Sequence, residues 1–363
     1  MRTRIRDLGI VIGALGTGPL NRISDVRGVT VGHRTLVSGK GKLVPGRGPV
    51  RTGVTVIMPH QGNVWKDRPS AAWSTINGCG ELTGALELDE FGSLETPIGL
   101  TNTMCVHNVA NGLISHVLEK NAQAGITEST VVPVVSECDD SFLNDSRGMH
   151  VRPEHACEAI SAACEKFELG NVGAGTGTTT FQFKGGIGSA SRVLRFSGHT
   201  WTLGVLVLSN FGSRWQLTIA GRNIGSSLDS GLSAHKRDGG SIVTVMATDA
   251  PLSSRQLKRL SRRAFLGIAR TGSFASNGSG DISVAFSTSN RIVYSAAAER
   301  RDVREYREIS EEKMNTLFQA AVEATEESVL DSMFCSTTVE GRDGHVSAEI
   351  PVDQVLKILN KSA

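Results

Sequence analysis

Six short apolar runs rich in β-branched residues alternate along the chain with amphipathic helical patterns. The runs cover residues 52–59, 129–137, 202–210, 214–221, 241–248 and 281–288. Short runs of this composition indicate buried strands. Apolar residues recur at helical spacing over residues 104–122, 153–167, 253–270 and 310–330. The alternation predicts a layered α/β protein with antiparallel strand pairing.

The connections between these segments carry turn and cap signals. Only Phe211-Gly212-Ser213 separates two of the runs, which predicts an antiparallel hairpin over residues 202–221. Pro153 suits the first turn of a helix, and Ser310 followed by acidic residues suits a helix start. The segment from Gly221 to Gly240 is polar and rich in Gly and Ser, which predicts a linker.

The charge balance argues against nucleic acid and membrane partners. The formal net charge is +2, whereas proteins that bind phosphate backbones usually show a clear basic excess or patch. The basic residues from Arg255 to Arg263 coincide with a helical pattern and are interpreted as a solvated helix face. No apolar run has the length of a transmembrane span. Gly13 and Gly16 interrupt the early apolar run, which is not typical of a signal peptide, so we expect a cytoplasmic protein.

No metal or cofactor motif is found in the sequence. The six cysteines form neither a CxxC pair nor a Cys/His cluster with zinc spacing, and we expect mostly buried, reduced thiols. The glycine-rich block at 170–192 lacks the GxGxxG spacing between a strand and a helix that dinucleotide binding requires. We therefore predict close backbone packing in this block and no cofactor.

The junction "RDGGSIVTVMATD" (237–249) places Gly239 and Gly240 directly before a serine that opens an apolar strand. Glycine leaves room for attack by the Ser241 hydroxyl on the Gly240 carbonyl and tolerates strained backbone. Cleavage there would give Ser241 a free α-amine whose pKa of about 7.7–8 suits a general base. The alternative is a loop glycine followed by a serine that caps the strand.

Three other strand ends carry polar residues suited to the same chemistry. Asn210 ends an apolar run, where its amide could stabilise an oxyanion. Ser279 and Asp281 stand two apart at a strand entrance and so share a face. Glu137 ends another run, where a carboxylate could bind a substrate ammonium group. Taken singly, each segment is more typical of a structural or solvated turn than of a catalytic group.

Together and in this order, long blocks of the chain resemble the DmpA/BapA family of self-processing aminopeptidases, which includes the β-peptidyl aminopeptidases. The resemblance runs over nearly the whole chain. Its blocks are "DLGIVIG", "GPLNRISDVRGVTVGHRTLVSG", "TPIGLTNT", "SECDDSFLND", "GNVGAGTGTTTFQFKGGIGSASR", "VLVLSNFG", "GGSIVTVMATDAPL" and "SGDISVAFST".

The resemblance implies a four-layer αββα sandwich, similar to N-terminal nucleophile hydrolases but with different connectivity. It implies a single α/β domain over residues 1–363, made as an inactive precursor. The precursor would cleave itself before Ser241 into an α chain, 1–240, and a β chain, 241–363. The two chains would stay associated and assemble as a homotetramer.

The resemblance also implies the site. Ser241 would be the nucleophile, Asn210 the oxyanion donor, and Glu137 the group that binds the free amino group of the substrate. Ser279 and Asp281 would support the nucleophile. The expected activity is removal of N-terminal residues from peptides, amides or esters, without metal or cofactor.

Two departures from the family pattern and two rival functions stay open. Some relatives carry Glu where this chain has Asp281, and relatives often have an aromatic residue where Asp139 stands. We hypothesise that the extra carboxylate of Asp139 favours cationic substrates. One rival is an acyltransferase of the self-cleaving ornithine acetyltransferase type, although those enzymes expose a threonine rather than a serine. The other is a homologue that never cleaves and acts as a binding or scaffold protein.

Overall fold

The computed structural model describes residues 3–196, 198–228, 240–294, 303 and 305–360. Gly239 and residues 229–238 of the predicted linker lie outside the described residues. No helix in the described ranges is long and apolar enough to cross a membrane.

The described chain forms long strands in two sheets and three short two-residue ladders. The long strands are β1 (Thr30–Ser38), β2 (Val50–Met58), β3 (Asp67–Gly78), β4 (Ile98–Thr101), β5 (Val134–Glu137), β8 (Ile187–Phe196), β9 (His199–Asn210), β12 (Gly240–Thr248) and β13 (Ser279–Val293). The short ladders pair β6 (Thr179–Thr180) with β7 (Phe183–Lys184), β10 (Thr218–Ile219) with β11 (Arg222–Asn223), and β14 (Val339–Glu340) with β15 (Val346–Ser347).

Helices flank these sheets. They are α1 (Ala85–Phe91), α2 (Val106–Lys120), α3 (Pro153–Ser161), α4 (Ser254–Ser261), α5 (Ala264–Arg270), α6 (Met314–Phe334) and α7 (Val352–Asn360). One sheet has the strand order β1-β2-β4-β5 and the other β3-β13-β12-β9-β8. Pairing is antiparallel except between β4 and β5 and between β12 and β13.

Alternation along the central strands builds the layers. In β9, Leu206 and Leu208 pack between the two sheets with residues of the other sheet such as Leu100. Val205 and Val207 point to the opposite face and pack in the cluster that contains helices α4, α5 and α6. Helices α2 and α3 cover the outer face of the four-stranded sheet. Because successive strand residues face opposite sides, the result is an αββα sandwich, and the predicted fold class is confirmed.

The predicted hairpin over residues 202–221 is wrong. Strand β9 instead pairs with the preceding strand β8 and with β12, and residues 214–221 form a 3-10 turn and the short strand β10. Strand β8 lies in the glycine-rich block, where glycines obscured its pattern. The sheets are also mixed rather than purely antiparallel.

Other segment boundaries differ more modestly from their predictions. The strand predicted over 129–137 begins only at Val134, after Pro133, which has no N–H to give to a sheet ladder. The helix predicted over 153–167 starts at Pro153 as expected but ends at Ser161. The one predicted over 253–270 is interrupted between α4 and α5.

Close backbone packing in the glycine-rich block is confirmed. A Cβ atom at Gly188 of β8 would lie 1.8 Å from the carbonyl oxygen of Ser328 in α6. At Gly177 it would lie 2.2 Å from the carbonyl oxygen of Arg51. Only glycine permits these approaches.

The expectation of mostly buried thiols holds for half of the cysteines: Cys105, Cys138 and Cys335 are buried, Cys157 is half-buried, and Cys79 and Cys164 are exposed.

A buried ion network joins helix α6 to the first part of the chain. Glu323, Glu327 and Asp331 are spaced four residues apart and therefore share one helix face. The fully buried guanidinium of Arg192 contacts Glu323 at 3.1 Å and Glu327 at 2.8 Å. Arg4 contacts Asp331 at 2.7 Å. These pairs connect segments that lie on opposite sides of the Gly240-Ser241 junction.

Replacing Arg192 by alanine is expected to lower the free energy of unfolding by about 3–5 kcal/mol, because two buried carboxylates each lose their contact with a fully buried guanidinium. Chemical denaturation followed by circular dichroism measures this. Arg255→Ala is the matched control, since Arg255 pairs with Glu311 at the exposed surface and its loss should change stability little. Equal losses in the two variants would contradict the importance of the buried network.

Candidate active site

The register of the five-stranded sheet brings Ser241 beside three of the other predicted site residues. Strand β12 lies between β9 and β13. Ser241 pairs with Asn210 across the antiparallel ladder, and Gly240 pairs with Ser279 across the parallel one. Asp281 follows two residues after Ser279 on the same face. One edge of the sheet therefore collects the start of two strands and the end of a third.

A cavity of about 840 Å³ opens at this edge. The residues that line it are Cys79, Gly80, Glu81, Thr103, Met104, Glu137, Asp139, Ser141, Ser146, Arg147, Asn210, Gly240, Ser241 and Gly278. Ser241, Asn210 and Glu137 are at most 5% exposed, so they form its inner wall. Ser279 and Asp281 are buried beside the cavity without lining it. This volume lies within the ordinary range for small-ligand sites.

Gly240 occupies a position that no other residue fits without movement. A Cβ atom there would lie 2.4 Å from the carbonyl oxygen of Asn210 and 2.7 Å from the Cα atom of Phe211. The end of β9 is thus pressed against the residue that precedes Ser241. The glycine at this junction follows from close backbone approach.

The side-chain amide of Asn210 is oriented by two hydrogen bonds. Its Oδ1 accepts from the backbone N–H of Thr179 at 2.9 Å, and its Nδ2 donates to the carbonyl oxygen of Asp139 at 2.8 Å. An amide nitrogen carries two donors, so one N–H is not used by the Asp139 carbonyl. The cavity wall next to Ser241 thereby has a fixed donor.

Ser279 and Asp281 form a hydrogen-bonded pair next to the start of β12. The hydroxyl of Ser279 donates to Oδ1 of Asp281 at 2.9 Å, and Nδ2 of Asn77 donates to Oδ2 at 3.1 Å. Burial raises the pKa of Asp281, while the two hydrogen bonds act in the opposite direction. Because Ser279 donates its hydroxyl hydrogen to the carboxyl group, its oxygen can still accept a hydrogen bond from the neighbouring strand β12.

Glu137 presents a buried carboxylate to the cavity. Its Oε1 accepts from the backbone N–H of Glu81 at 3.2 Å, and its Oε2 accepts from the hydroxyl of Thr103. Burial raises the pKa of Glu137, and these two hydrogen bonds partly offset that effect. Glu137 is thus a desolvated carboxyl group held in one orientation, and its ionised form can bind a cation. Thr103 belongs to the "TPIGLTNT" block, whose residues had no assigned role in the sequence analysis.

Several residues in or beside the cavity were not identified from the sequence. Cys138 lies beside the cavity without lining it: its thiol is fully buried, donates to the carbonyl oxygen of Leu208 at 3.4 Å and contacts the Ser241 hydroxyl. Burial raises the pKa of this thiol, which keeps it neutral and a poor nucleophile. Cys79 and Arg147 line the cavity itself, and no motif in the sequence marked them.

The carboxylate of Asp139 caps its own turn. It accepts from the backbone N–H of Ser141 at 2.7 Å and from the Ser141 hydroxyl at 3.0 Å. Within the described ranges, no group of three or more His, Cys, Asp or Glu side chains could hold a metal ion. The site residues predicted from the sequence present a hydroxyl, an amide donor and carboxyl groups to the cavity or beside it.

Comparison with known proteins gives the same assignment. The family model described as peptidase family S58 matches residues 21–347. The beta-peptidyl aminopeptidase BapA of Sphingosinicella microcystinivorans is 41% identical over 99% of this chain and 92% of that protein.

Two solved structures are similar over nearly their full length. The PH0078 protein of Pyrococcus horikoshii OT3 is 48% identical, with a TM-score of 0.95 over 99% of this chain and 100% of that one. The L-aminopeptidase D-Ala-esterase/amidase of Ochrobactrum anthropi is 35% identical, with a TM-score of 0.89 over 99% and 98% of the two chains. Its structure is described as a variant of the Ntn hydrolase fold and a prototype of the serine aminopeptidases. The resemblance predicted from the sequence is confirmed: this chain belongs to peptidase family S58 and is an aminopeptidase.

Proposed function

We propose that the protein is a serine aminopeptidase activated by its own cleavage between Gly240 and Ser241. The α chain would comprise residues 1–240 and the β chain residues 241–363, both within one α/β domain. The observation that carries the proposal is the position of Ser241. It is the first buried residue of a central strand, it lines the cavity, and it stands directly opposite Asn210.

Self-cleavage uses the hydroxyl of Ser241 against the carbonyl carbon that precedes it. The new C–O bond forms as the Gly240-Ser241 C–N bond breaks, and the amine takes up the proton. Water then hydrolyses the ester, which leaves a carboxylate on Gly240 and a free α-amine on Ser241. Gly240 supports this step because the crowded end of β9 leaves no room for a side chain there.

The same hydroxyl then acts on substrates. The α-amine of Ser241, with a pKa of about 7.7–8, takes the hydroxyl proton directly or through water. The oxygen attacks the substrate carbonyl, and an acyl-enzyme forms that water later hydrolyses. The unused N–H of Asn210 donates to the oxyanion, a contribution of about 3 kcal/mol for a single donor of this kind.

The neighbouring hydrogen-bonded pair supports the nucleophile. Ser279 is the register partner of Gly240, and its hydroxyl donates a hydrogen bond to Asp281. Its oxygen is then free to accept a hydrogen bond from the new α-amine. Asp281 replaces the Glu of some relatives, and Asn77 holds its second oxygen.

Glu137 accounts for the preference for a free N-terminus. A substrate ammonium group pairs with its buried carboxylate, whereas a blocked N-terminus would leave that carboxylate desolvated and unpaired. The expected substrates are peptides, amides or esters with a free amino group. The names of the similar proteins include β-peptidyl and D-Ala substrates, and we extend the proposal to both classes.

Three further expectations remain predictions. They are the homotetramer, the cytoplasmic location and the effect of Asp139 on cationic substrates. The ornithine acetyltransferase-like alternative loses support because the junction carries Ser241 rather than threonine and because the family is a peptidase family.

Ser241→Ala is expected to abolish both self-cleavage and hydrolysis, because the attacking oxygen is removed. Intact-mass measurement and N-terminal sequencing of purified protein should give two chains for the wild type, with serine as the new N-terminus. The variant should give one chain near 38.5 kDa. Ser283→Ala is the matched control: this buried serine is in β13, and its hydroxyl has no hydrogen-bond partner in the described structure. An intact wild-type chain without activity would favour the scaffold alternative.

Gly240→Ala is expected to slow self-cleavage by at least about tenfold, because the new Cβ atom displaces the junction from the end of β9. The fraction of uncleaved chain over time after synthesis measures the rate. Gly78→Ala is the control, because a Cβ atom at Gly78 meets nothing within 4 Å although this strand end adjoins the site. Equal cleavage rates for both variants and the wild type would contradict the steric role of Gly240.

Glu137→Gln is expected to lower kcat/KM for substrates with a free amino group by about 10–100-fold, through loss of a charge-assisted pair. Only ionised Glu137 binds the ammonium group. Wild-type kcat/KM should therefore fall additionally as the pH drops through the raised pKa of Glu137. This additional fall should vanish in the variant. Only the fall in kcat/KM that comes from protonation of the α-amine should remain.

Glu81→Gln serves as the control for that profile. Glu81 also lines the cavity but is exposed, and its backbone N–H would still bond Glu137. Because burial and, to a lesser degree, the Glu81 carboxylate raise the pKa of Glu137, the additional fall in kcat/KM should move to lower pH in Glu81→Gln but should not vanish. A pH profile unchanged by Glu137→Gln, with kcat/KM also unchanged, would show that the ammonium group is bound elsewhere.

A further inference from the structure

Arg147 is the one cationic side chain among the described residues that line the cavity. It is exposed and belongs to the 3-10 turn Ser146–Gly148. Within the described ranges, its guanidinium makes neither a hydrogen bond nor an ion pair with the protein. Neither the self-cleavage nor the hydrolysis proposed above uses it. A guanidinium without a protein partner in a substrate cavity is available to a ligand of opposite charge.

The turn that carries Arg147 is anchored by its neighbours. Oδ2 of Asp145 accepts from the backbone N–H groups of Gly46 at 2.8 Å and Gly48 at 3.1 Å. The hydroxyl of Ser146 donates to the fully buried Asp140 at 2.9 Å. The residues before Arg147 thus turn inward and fix the backbone, while its own side chain is left to the cavity. Such a fixed base reduces the entropy lost when the guanidinium binds a ligand.

The cavity that holds Ser241 and Asn210 carries charges of both signs. Glu137 lines it and is held by Glu81 and Thr103. Asn210 is held by the carbonyl group of Asp139, which belongs to the same loop as Arg147. A substrate whose ammonium group pairs with Glu137 therefore enters a cavity that also presents a cationic side chain.

The carboxylate of Asp139 is the other charged group of this loop that lines the cavity. It is already engaged by two hydrogen bonds from Ser141. It therefore competes less for an incoming ligand than its position in the sequence suggests. Arg147 is the charged group on this wall whose donors the described protein leaves unused.

We propose that Arg147 binds a carboxylate on the leaving-group side of the substrate, so that the cavity selects short peptides with both termini free. The inference rests on the proposed aminopeptidase function. The ammonium group of such a peptide pairs with Glu137, its first carbonyl lies between Ser241 and Asn210, and its carboxylate reaches Arg147. A guanidinium matches the planar carboxylate through two parallel N–H donors.

Hydrolysis of three matched substrates tests this in the mature wild-type enzyme. They share one accepted N-terminal residue and differ in the leaving group, which is alanine, alaninamide or glutamic acid α-amide. The first has a terminal carboxylate, the second has none, and the third has only a side-chain carboxylate. We expect kcat/KM for the substrate with an alanine leaving group to exceed that for the alaninamide substrate by about tenfold or more. The difference should come chiefly from a lower KM. A kcat/KM for the third substrate close to that for the alaninamide substrate supports recognition of the terminal carboxylate, whereas a value equal to that of the first substrate overturns selection for a free C-terminus.

Arg147→Ala should bring the ratio of kcat/KM for the alanine substrate to kcat/KM for the alaninamide substrate close to one. Arg147→Lys should keep part of the preference, because a lysine ammonium group is still a positive charge although it cannot pair with a carboxylate through two parallel N–H donors. Arg47→Ala is the control for the loss of one positive charge. Arg47 is exposed on the loop between Gly46 and Gly48 but does not line the cavity, so this variant should keep the wild-type ratio.

A wild-type ratio near one, or a ratio that Arg147→Ala leaves unchanged, overturns the role of Arg147 while the aminopeptidase function stands. Hydrolysis of none of the three substrates, nor of simple amino-acid amides, by the wild-type enzyme overturns the proposed function itself. An equal loss of preference in Arg47→Ala would show a general charge effect, and this too would overturn the proposal.

Discussion

The register of β12 between β9 and β13 is the constraint on which the site depends. It sets Ser241 opposite Asn210 and Gly240 beside Ser279, and the buried faces of the sheet hold that register. A slip by one residue would turn Val243 and Val245 from the space between the sheets toward the helices. Both faces of β12 are buried, with Ile242 and Met246 packed toward the helices and Val243 and Val245 between the sheets. This packing positions the polar residues at the start of the strand.

This dependence explains what the sequence could predict. The apolar runs of β2, β9, β12 and β13 and the helices α2 and α6 were recognisable from period alone. Ser241, Asn210, Glu137, Ser279 and Asp281 were noticed because each stands at the end or start of such a run. Their common location followed from the family resemblance, because the strand order that brings them together is not encoded in any local pattern.

The failures have the same origin. Strand β8 was hidden because helix α6 packs so closely on it that Gly188 replaces a side chain. Without β8, the predicted partner of β9 was the following segment rather than the preceding one. Cys79, Thr103 and Arg147 reach the cavity from three separate segments, and only tertiary structure reveals such convergence. The same holds for Arg192, an ordinary arginine in the sequence whose full burial depends on two glutamates more than 130 residues away.

The position of the proposed cleavage agrees with the way the two halves are joined. Strand β12 and helix α6 follow the junction, whereas β8, β9, Arg4 and Arg192 precede it. A cut at residue 240 would therefore leave the sheet pairing and the buried ion network intact.

The same cut would create an ammonium group beside the carboxyl group of Asp281, whose pKa is raised by burial. A positive charge there would favour the ionised carboxylate, and the carboxylate would in turn favour the protonated amine. Ser279 is the register partner of Gly240 and the hydrogen-bond partner of Asp281, so under the proposed function its hydroxyl would relay this coupling. Under the proposed function, the pair would therefore adjust the basicity of the amine that must deprotonate the Ser241 hydroxyl.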